Sequence, residues 1–148
     1  MLKMKITLTT FLLMLVTTIS FGQNAEKILV KAFNLQGQNA VVLNLAGNTE
    51  VETWNENYVR VQMTIGLKNG SDATLNGLIK ARRYNLTGVV GSGGFEIAMP
   101  NVAKKVTIGG QELQEVFSYT VYAPNNVSVE NINEASASVA VPALNEFE

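Results

Sequence analysis

Between residues 58 and 65 the chain alternates without a fault: Val59, Val61, Met63 and Ile65 are apolar, with Tyr58, Arg60, Gln62 and Thr64 interleaved. A period of two fits the pleat of a β-strand and no helix, because successive strand side chains point to opposite faces. One face of this strand is wholly apolar and belongs on a core, and the other is polar enough to meet water. Whatever the chain folds into must therefore contain a sheet with one buried and one solvated face.

Similar runs recur, separated by Asn- and Gly-containing breaks, which is the spacing of an all-β domain. Residues 28–33 form a first candidate strand; Val41, Leu43 and Leu45 alternate in a second, after the break Gln36-Gly37-Gln38-Asn39. Ala46-Gly47-Asn48 turns the chain, and in 49–54 Val51 and Thr53 point one way while Glu50, Glu52 and Trp54 point the other. Residues 84–90 and 95–99 flank Gly91-Ser92-Gly93-Gly94, a hairpin with a glycine-rich connection. That glycine run lacks the downstream Gly-Lys-Ser/Thr of a phosphate loop and the spacing of a dinucleotide fingerprint. Short strands are further expected at 106–108, 117–122, 127–129 and 135–141, with a frayed tail from Ala143 to Glu148. Only residues 71–83 break the pattern. There Leu75, Leu78, Ile79 and Arg82 follow helical spacing and Ser71 or Asp72 can cap, so one short helix is expected near 72–83, with Gly77 its weak point and a loop the alternative.

The N-terminus sets location. Lys3 and Lys5 precede an uncharged stretch from Ile6 to Ala25 whose centre, Phe11-Leu12-Leu13-Met14-Leu15-Val16, is unbroken apolar. These are the charged and hydrophobic regions of a secretory signal peptide, and Ser20 and Gly22 supply a small-x-small cleavage site that would leave Gln23 first. A membrane anchor about 20 residues long is the alternative, but Thr7, Thr9, Thr10, Thr17 and Thr18 dilute the apolar run at both ends. The expected organisation is a signal peptide over 1–22 and a single domain over 23–148, exported to the periplasm, cell surface or medium, with no membrane span after cleavage.

Composition removes several chemistries. The chain has no Cys and no His, so disulfides, thiolate or imidazole metal sites and Ser-His or Cys-His catalysis are all excluded. Asp72 is the only aspartate, which disfavours calcium loops that need several carboxylates. Without residues 1–22, 9 basic residues face 12 acidic ones, a net charge near −3; a nucleic-acid partner would want a basic face. No cofactor is expected, and the sequence sets no oligomeric state.

Three stretches, residues 47–61 (Gly-Asn-Thr-Glu-Val-Glu-Thr-Trp-Asn-Glu-Asn-Tyr-Val-Arg-Val), 80–86 (Lys-Ala-Arg-Arg-Tyr-Asn-Leu) and 119–129 (Tyr-Thr-Val-Tyr-Ala-Pro-Asn-Asn-Val-Ser-Val), together resemble a family of exported bacterial proteins, especially of the Bacteroidota, grouped as adhesin domains on their architecture. The resemblance runs from about Ile28 to Val141. It implies short strands stacked as a β-helix-like solenoid or open roll; a β-sandwich is the alternative. This chain departs from the family in having only residues 135–141 left for further rungs, and a solenoid of few turns buries its faces poorly.

Two carboxylate pairs invite an acid-base reading: Glu50 with Glu52 on one strand face, and Glu112 with Glu115 if they share a helical turn. Solvated surface charge is the plainer account. Trp54, Tyr58, Tyr84, Tyr119 and Tyr122 are candidates for a platform that stacks on sugar rings, although aromatics also fill β cores; Trp54 and Tyr58 are the best ligand-binding candidates because alternation puts both on polar faces. The basic clusters Lys80-Arg82-Arg83 and Lys104-Lys105 are too small to argue for contact with lipid headgroups or an anionic glycan, and read as solvated turns. The expectation is a non-enzymatic envelope or cell-surface protein acting as an adhesion, interaction or structural module, its partner an envelope or extracellular protein or glycan. The alternative is a periplasmic carbohydrate-binding or carbohydrate-active protein.

Overall fold

The computed structural model describes residues 24–135. The signal segment and the strand expected at 135–141 lie outside, apart from Ala135 itself. Ten strands account for most of the described chain: β1 (Ala25–Phe33), β2 (Ala40–Asn44), β3 (Asn48–Trp54), β4 (Val59–Leu67), β5 (Thr87–Gly91), β6 (Gly94–Ala98), β7 (Thr107–Ile108), β8 (Gln111–Glu112), β9 (Glu115–Pro124) and β10 (Ser128–Asn131). Helix α1 spans Asp72–Lys80, a 3-10 turn Pro100–Ala103, and one helical turn, α2, Ile132–Ala135.

β4 is the strand that alternation marked out, and it occupies an interior place in a sheet of order β1-β4-β9-β3. Its Val59, Val61, Met63, Ile65 and Leu67 are all but sealed from solvent, while the residues between them are half-buried on the other face. A second sheet, β10-β2-β6-β5, presents Val41, Leu43, Phe95 and Ile97 to the same core. The Phe33 and Phe95 rings meet across the two sheets with centroids 5.9 Å apart. β7 and β8 make a separate two-stranded hairpin, turned by Gly109 and Gly110 at φ 58° and 81°, the left-handed pair such two-residue loops demand.

Both large sheets are mixed. β10, β2 and β6 run parallel, as do β3 and β9, whereas β1, β4 and β9 pair antiparallel and β5 pairs antiparallel with β6. The sheets face one another across one core and do not close into the coil of a solenoid. The β-rich class holds; the antiparallel strands are what interrupt the coil, because a solenoid rung can stack only on a parallel neighbour.

Several boundaries move. The first strand starts at Ala25, three residues before Ile28, because its register with β4 runs out to Leu67. The expected strand from Tyr84 begins at Thr87; residues 84–86 are irregular, with Tyr84 and Leu86 turned into the core. The hairpin around the glycine run is as expected, Gly91 pairing with Gly94 around Ser92-Gly93. Gly94 has φ 128° and lies so close to the Ala40 backbone that a Cβ would collide with it. In α1, Ser71 Oγ accepts from the Thr74 amide at 3.2 Å and Leu75 is fully buried; Arg82, at φ 59°, ends the helical path.

Candidate functional site

Because β9 lies between β3 and β4, the connection between those two strands must cross over the end of β9. Trp54 closes β3, Tyr58 ends the crossing, and Arg60 sits directly opposite Tyr122 in the β4-β9 register. The crossing folds on itself: Trp54 Nε1 donates to the Tyr58 carbonyl at 2.9 Å, and Asn125 Nδ2 donates to Asn55 Oδ1 at 2.8 Å. The three rings gather, Trp54 with Tyr58 edge-on at 4.8 Å between centroids and Trp54 with Tyr122 at 5.5 Å. Arg60 lays its guanidinium over two of them, 4.8 Å from the Trp54 centroid and 4.4 Å from that of Tyr122, the geometry of a cation held by ring quadrupoles. All four side chains are half-buried.

The two ligand-binding candidates, Trp54 and Tyr58, are thus brought into contact, and Tyr122 joins them. Tyr84 and Tyr119 do not; they are core residues at 3% and 2% exposure, and burial raises the pKa of both phenols above the usual tyrosine value. Arg60 was not a candidate in the sequence, where it stands as one polar residue in an alternating strand. The signal that finds it is tertiary: opposite Tyr122 and level with Trp54, it has rings on which to lie.

This cluster ends the outward face of the first sheet. Cross-strand register sets Glu52, Tyr122 and Arg60 in one row, Glu50, Thr120, Gln62 and Val30 in the next, and Asn48, Ser118, Thr64 and Ile28 in a third. Ile28 and Val30 are both 59% exposed and Val116 46%. At the far end Gly66 leaves a shallow depression between Glu26 and Val116. Glu50 and Glu52 are exposed on the edge strand.

Glu112 and Glu115 share no helical turn. Glu112 is on β8, exposed and in contact with Lys105 at 3.2 Å, and Glu115 opens β9 with its side chain buried. Glu115 receives Arg83 Nε at 2.8 Å and Nη2 at 2.7 Å, and the Tyr84 hydroxyl at 2.6 Å. Arg83 also donates to the carbonyls of Asn101, Val102 and Lys104. The basic cluster expected to be solvated therefore contains a buried, fully satisfied guanidinium at 8% exposure, whose pKa is raised chiefly by its hydrogen bonds to Glu115. A guanidinium with every donor used is a structural tie, here fastening the end of α1 to the 3-10 turn and β9.

Among the described residues no group of three or more His, Cys, Asp or Glu side chains is placed to hold a metal, and no helix is long and apolar enough to cross a membrane.

The fold and this site define a class no narrower than an all-β domain of two mixed sheets, bearing an open outer face with an aromatic end. No known protein-family model matches the chain, and no curated protein matches it. Among solved structures it is similar to a protein from Clostridium sporogenes provisionally assigned to cell adhesion, at TM-score 0.37 and 12% identity over 72% of this chain and 45% of that one. The chain spans less than half the length of that neighbour, and so loose a likeness carries no argument about activity.

Proposed function

We propose that the chain is an exported, non-enzymatic interaction module that works at the envelope or cell surface through the outward face of its first sheet. The observation that carries this reading is that face itself. β-sheets in a two-sheet domain expose a polar face as a rule, yet here Ile28, Val30 and Val116 stand exposed among Ser118, Thr120 and Thr64, with aromatic rings at one end. Exposed apolar groups ringed by polar ones mark contact surfaces. The signal-peptide pattern at 1–22 supports export, and the missing His and Cys support a non-enzymatic role. The parallel ladders β10-β2-β6 and β3-β9 support a kinship with stacked-rung architectures, capped by antiparallel strands.

The test is expression with residues 1–22 intact, fractionation, and capture of envelope and extracellular components by the purified secreted protein and its Ile28→Glu and Val30→Glu variants. The expected result is a new N-terminus at Gln23 and a defined ligand whose capture both variants abolish without lowering Tm. Retention in the cytoplasm, or capture indifferent to both variants, would overturn the reading.

The runner-up is carbohydrate recognition, favoured by one observation: Trp54, Tyr58 and Tyr122 do assemble. Its catalytic form has little to stand on, since Glu50 and Glu52 both lie exposed on the edge strand.

A further inference from the structure

The interaction reading leaves the ligand unnamed; Arg60 narrows it. Its Nε is shut away from water against the rings and has no hydrogen-bond partner. Among the described residues its guanidinium enters no ion pair and no hydrogen bond, in contrast to Arg83, whose donors are all taken. A guanidinium stacked on aromatic faces is held in orientation by them but keeps its in-plane donors, and those donors form the fork that fits a carboxylate. A cation partly removed from water with no counter-ion carries a desolvation cost that an incoming anion offsets.

Resting on the interaction reading above, we propose that Trp54, Tyr58, Arg60 and Tyr122 form a subsite for a carboxylate-bearing sugar, a uronic acid unit of an extracellular or envelope polysaccharide. Arg60 takes the carboxylate through its terminal nitrogens, and the exposed parts of the Tyr58 and Tyr122 rings meet the sugar's C–H face. Rings beside a fork select a ring-shaped acid over a simple ion. Glu52 shares the row of Tyr122 but lies one strand beyond it on the exposed edge, where solvent and salt screen its repulsion.

Trp54 is the only tryptophan in the chain, so intrinsic fluorescence reports this subsite directly. The experiment titrates the secreted protein with galacturonate and glucuronate oligosaccharides, their methyl esters, neutral counterparts and short peptides with free C-termini. Fluorescence and calorimetry are the readouts. The acidic sugars are expected to bind and to shift the fluorescence, with methyl esterification weakening binding about 10- to 100-fold, the loss that follows when a charge-assisted hydrogen bond is removed. Arg60→Gln should weaken binding similarly. Arg60→Lys, which keeps the charge and the ring contact but not the fork, should fold with unchanged Tm and still bind several-fold more weakly.

Equal binding of acid and ester, or wild-type binding by folded Arg60→Gln, overturns the proposal, as does preference for peptide carboxylates over acidic sugars. If Ile28→Glu and Val30→Glu abolish capture of an envelope component while no acidic sugar binds, the saccharide subsite fails and the interaction reading stands.

Discussion

Breaking the Arg83–Glu115 tie tests the structural account most sharply. Glu115→Ala leaves a guanidinium at 8% exposure facing a vacated site where two of its donors and the Tyr84 hydroxyl had ended. Removing one partner of a buried pair costs about 3–5 kcal/mol, because the remaining charge is stranded. The carbonyls of Asn101, Val102 and Lys104 still receive Arg83 and hold the loss toward the lower end of that range. At roughly 4 °C per kcal/mol for a domain of this size, Tm should fall by about 12–16 °C. Urea unfolding followed by circular dichroism gives the free energy from the midpoint and slope. The companion double Arg83→Met/Glu115→Ala, measured with the Arg83→Met single, should recover part of the loss but not all, since the three carbonyls then lose their donor, and the coupling energy of the cycle should be about 2–3 kcal/mol. A Glu115→Ala loss below about 1 kcal/mol, or additive single and double variants, would refute the view that this pair is buried and mutually dependent.

Gly77 stands mid-helix and a Cβ there would meet nothing within 4 Å, so Gly77→Ala should stabilise by about 0.5–1 kcal/mol in the same urea assay. Tyr84 and Tyr119 have folded-state pKa values raised above 10.0 by burial, with the hydrogen bond to Glu115 adding to Tyr84. Raised values favour the protonated native state, so their contribution is intact below about pH 10 and is lost above it. Stability should fall there by up to about 1.4 kcal/mol per pH unit for each tyrosine, and Tyr119→Phe should flatten that slope in pH-dependent urea unfolding. The Lys105–Glu112 pair is 79% and 59% exposed, so Lys105→Ala should change stability by less than about 0.5 kcal/mol and remove no more than a weak salt dependence.

The elements were largely legible in the sequence where local rules govern. β4 shows its alternation, α1 its cap and spacing, and the β5-β6 hairpin its glycines, because each depends on neighbours within a few residues. The ties between elements were not. Glu115 lies 32 residues from Arg83, so in sequence it looked like one of two nearby glutamates and Arg83 like part of a solvated basic run. Burial reversed both readings. The aromatic candidates separated for the same reason: Tyr84 and Tyr119 turn inward, while Tyr122 reaches Trp54 only because β3 and β4 flank β9.

The residues alone determined a β-rich chain with a strand solvated on one face, a short capped helix, and chemistry that excludes thiol and imidazole. Those follow from side-chain type and spacing, which no tertiary contact can alter. Tertiary structure decided that the sheets are mixed and face each other instead of coiling, because strand direction depends on connections that span the whole fold. It likewise decided how Arg83 and Arg60 are used among the described residues. Arg83 meets a carboxylate and three carbonyls inside the protein, whereas Arg60 lies on ring faces and, among the described residues, enters no hydrogen bond or ion pair; a ring face holds a cation without using its hydrogen-bond donors.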